Sequence, residues 1–254
     1  MIRKDASMND PMRSNEYRSS GSSQFEGSMS VFAEGYEGAV DRSTFVMRTY
    51  MHLIGAVMAF TAIEVALFQS GLAERIAAAF MGVSWMIVLG GFVLVSWFAT
   101  RTAHSAATLP AQYLALGVFV VAEALIFVPL LYIANAYAPG AIQSAAVCTL
   151  IGFGGLTFVA WGTRKDFSFL RGILWWAGIS ALVAIVASVL FGFELGTLFS
   201  VAMVTLAGAS ILYDTSNIIR HYPEDRYVGA ALQLFASVAM MFWYILRIFL
   251  NARR

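Results

Sequence analysis

Residues 201–250 read VAMVTLAGASILYDTSNIIRHYPEDRYVGAALQLFASVAMMFWYILRIFL. Two apolar runs of spanning length flank a compact charged connector from Arg220 to Arg226. Asp214 closes the first run and Arg247 stands near the end of the second, in a chain whose other apolar stretches have shed most of their charge. An ionisable group kept against that trend is costly in a membrane and is the first place to look for function.

Composition outside this stretch fixes the class. Of 254 residues, 59% are hydrophobic and only 12% are charged, with a mean hydropathy of +0.73. Soluble domains run at roughly 45–50% apolar and about a quarter charged. The chain is therefore expected to be an integral membrane protein. A net charge of +1 without clustered Lys and Arg gives no footing for nucleic acid. The single cysteine, Cys148, excludes an internal disulfide and reads as a small buried side chain in an apolar run.

Seven segments are long and apolar enough to cross, at about 49–69, 78–99, 112–134, 140–162, 172–191, 195–213 and 227–250. Each spans roughly 30 Å of hydrocarbon with its backbone hydrogen bonds closed internally. The breaks between them are short, so the expected fold is all-α, a compact seven-transmembrane helical bundle over 44–254. Residues 1–43 are rich in Ser, Gly, Glu, Asn and Met and have no sustained apolar period, which reads as a disordered tail and not a signal peptide. Arg101, Arg164, Lys165, Arg171, Arg220 and Arg226 fall in the even-numbered breaks, and Arg75 alone in the odd ones. By the positive-inside rule the N-terminus is expected in the cytoplasm. Arg253 and Arg254 oppose this, and a re-entrant last segment would reconcile them; seven full crossings is the preferred reading.

Gly90 and Gly91, then Gly152, Gly154 and Gly155, then the small run 207–210 lie inside spans, where small side chains let helices approach. Trp97, Trp161, Trp175 and Trp176 sit near segment ends and read as an interfacial belt.

The intramembrane ionisable groups are Glu64, Glu123, Asp214 and Arg247. For Glu64 and Glu123 the plain alternative to function is a protonated carboxyl hydrogen-bonded across helices. For Arg247 it is snorkelling, and for Asp214 it is capping or solvation where the polar run 214–217 leaves the membrane. Beside a movable base such as Arg101 or Arg247, a buried carboxyl makes a proton switch. Enzyme signatures are absent: His52, His104 and His221 lack zinc-helix spacing, and there is no phosphate loop or G-x-S-x-G elbow. Ser216, His221 and Asp225 form a nominal trio that any polar connector would provide.

Three blocks carry a resemblance: TRKDFSFLRGIL at 163–174, ILYDTSNIIRHYPEDRYVGAALQLF at 211–235 and YILRIF at 244–249. A weaker one is IFVPL at 126–130. Over about residues 50–250 the chain resembles the bacterial branch of the Bax inhibitor family, which implies seven spans. In some members two aspartates share a proton and an arginine tunes the latch of a pH-sensitive calcium leak channel. By motif, the first aspartate falls on Asp214 and the arginine on Arg101 in WFATR. The second falls on Ser237 in LFAS, and a serine cannot compete for a proton. Ser237 resembles instead the branch that modulates the membrane-anchored AAA protease FtsH, as inhibitor or competing substrate, with the N-terminal tail as a handle. The alternative is an ion path for calcium or protons, with Glu64 or Glu123 replacing the missing acid. Neither reading implies a cofactor beyond a transient calcium ion, and both place the protein among membrane lipid.

Overall fold

The computed structural model describes residues 41–105, 108–163 and 165–252, without the side chains of Trp85, His104 and Ser105. Two compact units divide the chain, Met1–Thr44 and Phe45–Arg254. Of the first, only Asp41–Thr44 are described, as the opening turn of a helix, so the tail expected over 1–43 lies almost wholly outside the described residues. So do Arg164, Arg253 and Arg254.

Seven helices are long and apolar enough to cross a membrane. They are α1 (Asp41–Gln69), α3 (Trp85–Ser105), α4 (Leu109–Tyr137), α5 (Ala141–Thr163), α6 (Leu170–Phe191), α7 (Thr197–Arg220) and α8 (Tyr227–Asn251). No strand occurs among the described residues. The protein is an all-α membrane bundle, as expected. Exposed Trp97, Trp161, Trp175 and Trp176 fit the expected belt.

An additional short helix, α2 (Leu72–Met81), was not expected. Gly71, at φ 73°, turns the chain sharply after α1, a conformation open to glycine at little cost. Residues 82–84 then break the helix before α3, so the second crossing starts near 85 and not 78. Ala73 and Ala77 of α2 bury against Val128 of α4.

Helices α4 and α8 form the interior, whereas α6 has no buried residue. Around the end bearing the α7–α8 connector, Leu53, Ala103, Phe119, Ile218, Val228 and Phe235 share one core. Toward the far end Phe127, Leu131, Ala141, Ala145 and Leu246 share another. An aromatic seam joins them: Phe127 meets Phe60 edge-on at 5.2 Å and Trp243 at 4.9 Å, and stacks on Phe242 at 5.7 Å. Pro129 interrupts one backbone bond of α4 without ending it. Helix α8 runs unbroken for 25 residues, about 37 Å, so a re-entrant last segment has no turn to make it.

Only some of the small residues pack as expected. A β-carbon at Gly152 would lie 3.3 Å from Met241 Sδ, and one at Gly208 3.2 Å from Leu156 Cδ1, whereas Gly90, Gly91, Gly154 and Gly155 face open space. The tightest approach is at Gly229, where a β-carbon would come within 2.8 Å of the Ala103 carbonyl oxygen, so α8 crosses the end of α3 at backbone contact. Cys148 is exposed, not buried. The surrounding lipid is as apolar as the core, so an apolar span does not disclose which face turns inward.

Candidate functional site

Helix α7 continues two turns beyond Asp214, to Arg220. The polar run 214–217 is thus helix interior, not a chain exit. Asp214, Thr215 and Ser216 are all buried, because the antiparallel return through α8 covers them. On α8, Gln233 and Ser237 are one turn apart and present a common face. Gln233 Nε2 donates to Asp214 Oδ1 at 2.6 Å, and Ser237 Oγ donates to Oδ2 at 2.7 Å. Both carboxyl oxygens are thereby engaged by neutral donors. Protonating Asp214 at Oδ2 would turn that acceptor into a donor, and the Ser237 hydroxyl could accept from it, so the contact would survive with its direction reversed.

The motif and the short connector face Asp214 with Ser237 but do not by themselves single out Gln233. Its signal was available: a polar side chain four residues before Ser237 in an otherwise apolar helix must share that face.

Around this lock the two strongest sequence blocks converge. Ser216 Oγ accepts from the Phe167 N–H at 3.2 Å and donates to the Lys165 carbonyl at 3.4 Å, tying the α5–α6 loop to α7. Within the loop, Asp166 Oδ1 accepts from the Ser168 N–H at 2.9 Å and from its hydroxyl at 2.5 Å. Those bonds hold the Asp166 carboxyl below its usual range, with nearby His221 and Arg220 adding to the effect. His221 Nε2 stands 3.8 Å from Asp166 Oδ2. Tyr222 turns into the core and stacks on Phe45 at 6.1 Å, and burial pushes its phenol well above the usual range.

A polar vestibule of about 370 Å³ opens beside the lock, lined by Arg171, Tyr213, Asn217, His221, Arg226 and Gln233 among others. Gln233 therefore faces both the vestibule and Asp214. Of the nominal trio, Ser216 serves the loop and Asp225 holds its carboxylate 3.9 Å from Arg226 Nε.

Among the described residues, none of the other sequence candidates bonds the Asp214 carboxyl, whose partners are Gln233 and Ser237. Arg101 sets its guanidinium 5.3 Å from the Trp97 ring centroid, on its own helix. Arg247 is ten residues beyond Ser237, about 15 Å along α8. It neither neighbours Asp214 nor simply snorkels: its Nη2 donates to the Leu195 carbonyl at 2.8 Å, anchoring the α6–α7 loop. Glu123 is buried on α4. Glu64 is buried on α1 and lines a separate apolar cavity, of which Glu123 is not a lining residue.

The profile of the family described as "Inhibitor of apoptosis-promoting Bax1" matches residues 42–254. An uncharacterized protein of Pseudomonas aeruginosa is 37% identical over 111 residues, which cover 42% of this chain and 49% of that one. Protein LIFEGUARD 4 of Arabidopsis thaliana is 31% identical over 146 residues, covering 55% and 58%. The modulator of FtsH protease YccA of Escherichia coli K12 is 34% identical over 87 residues, covering 34% and 39%. The chain thus spans about half the length of these relatives.

Proposed function

The chain belongs to the Bax inhibitor family, and from that premise we propose that it is an inner-membrane regulator of a membrane-anchored AAA protease, acting as inhibitor or competing substrate. The observation that carries this reading is the 2.7 Å bond from Ser237 to Asp214. With a hydroxyl where a proton-sharing pair needs a second acid, the α7–α8 contact is held by neutral donors and has no coupled titration. What remains is a bundle tied at many points, suited to resisting extraction by a machine that pulls on one end. The polar, Ser- and Gly-rich first 43 residues supply the end to pull, in the cytoplasm if positive charge sits inside. The similarity to the E. coli modulator of FtsH protease points the same way. A calcium leak has less support, because Arg171 and Arg226 line the vestibule beside Gln233 and their positive charge opposes a divalent cation.

The test is the protein's lifetime after deletion of its first 40 or so residues. In cells containing FtsH, the deletion should lengthen the half-life several-fold, and in cells lacking it the half-life should not change. A half-life unaffected by the deletion in both strains removes the tail as a handle and with it the substrate role.

A further inference from the structure

A second cavity, of about 470 Å³, lies apart from the lock and is lined by α1, α4, α5 and α8. Its volume falls in the roughly 300–1,000 Å³ range of small-molecule sites. The lining is almost wholly apolar, with Phe60, Phe68, Phe127 and Phe242 contributing rings. One acidic side chain enters it. Glu64 is 6% exposed, and among the described residues neither of its carboxyl oxygens receives a hydrogen bond from the protein. The nearby hydroxyls are committed elsewhere, Thr61 donating to the Val57 carbonyl and Thr149 to the Ala145 carbonyl, each at 2.8 Å. Leaving a buried carboxyl unpartnered in a membrane is costly, and a fold that retains one has a partner for it.

The surroundings define that partner. Among the described residues no Lys, Arg or His lines the cavity, so nothing there would receive a phosphate, and a zwitterionic phospholipid headgroup does not fit. Calcium takes about six to eight oxygens. Besides Glu64, the side-chain oxygens in the lining are those of Thr61, Thr149, Gln69 and Asn135, the last two near the ends of α1 and α4. A single cation on an apolar body suits both features, its charge against Glu64 and its body among the phenyl rings, whose faces also attract cations. Val65 and Leu150 line the cavity from α1 and α5 and are 48% and 62% exposed, so it opens sideways to lipid.

We propose that this cavity binds an amphipathic amine drawn from the bilayer, with Glu64 as counter-ion to its ammonium group. The site is independent of the protease reading and of the Asp214 lock.

The test uses the full chain in phosphatidylcholine nanodiscs, dodecylamine carrying a mid-chain photo-crosslinker, and dodecanol carrying the same group as comparator. Crosslinked peptides are mapped by mass spectrometry. The amine should label α1 and α5 residues around the cavity, at least about tenfold more than the alcohol, and Glu64→Gln should remove about that factor. Leu150→Trp, which fills the lipid-facing mouth and leaves Glu64 in place, should abolish labelling even if Glu64→Gln fails to fold. Equal labelling by amine and alcohol, labelling unchanged in both variants, or labelling confined to other surfaces would each overturn the proposal.

Discussion

Ser237 and Asp214 join the last two helices through a 2.7 Å hydrogen bond buried on both sides, with Gln233 closing the second carboxyl oxygen at 2.6 Å. Truncating either donor leaves a buried acceptor unmatched. Ser237→Ala is expected to destabilise the detergent-solubilised protein by about 1–3 kcal/mol, and Asp214→Leu by a similar amount. The double variant should lose less than the sum, because removing both partners removes the unmatched group. Additive losses in a thermal or denaturant unfolding series would show that the bond contributes no coupling.

Restoring an acid opposite Asp214 should create what this chain lacks. In Ser237→Asp two carboxyls would stand within hydrogen-bond reach and could not both ionise freely, so they would titrate as a pair. The variant is expected to show a conformational change between about pH 5 and 8 that the parent does not, read by spin-label distances across α7 and α8. In dye-loaded liposomes the parent should pass little calcium at any pH in that window. Parent flux abolished by Asp214→Asn would instead favour the leak reading.

The α3–α8 crossing has no room for a side chain. Gly229→Ala places a methyl 2.8 Å from the Ala103 carbonyl oxygen, a backbone atom that cannot rotate away, and should cost about 1–3 kcal/mol. Gly154→Ala, which meets open space, should be neutral within about 0.5 kcal/mol. Equal melting temperatures for the two variants would contradict the crossing.

The α5–α6 loop carries its own pH dependence. Hydrogen bonds from Ser168 lower the Asp166 carboxyl below its ordinary 3.8, so the ionised form is favoured in the folded loop. Its contribution is complete above 3.8 and lost as pH falls through the lower folded value. Amide exchange across residues 165–169, corrected for intrinsic rates, should accelerate as pH drops below that point. Asp166→Ala should show the loosened pattern at every pH.

Much of the bundle was legible from hydropathy and spacing alone. Seven spans follow from runs that must close their own backbone bonds, and facing Asp214 with Ser237 needed only the motif and a short connector. Other features were hidden for a shared reason. Inside a bilayer an apolar pattern reports length and says little about facing, so the exposure of Cys148 and the idle glycines 154 and 155 left no trace in it, whereas the separate helix Leu72–Met81 was marked by its bracketing Gly71 and Gly82 and by its charged Glu74 and Arg75. Gln233 and the close contact at Gly229 were single-residue signals within a strongly apolar helix. The role of Arg247 depends on a backbone carbonyl at Leu195, and main-chain partners leave no mark in a sequence.

That same arginine limits how the protein can move. Helix α8 is fastened to α7 through Asp214 at one level and to the segment leading into α7 through Leu195 some 15 Å away. Two fastenings so far apart oppose both sliding of α8 along α7 and splaying of the pair. The Gly229 crossing, with no room for a side chain, is where this doubly fastened pair meets the end of α3.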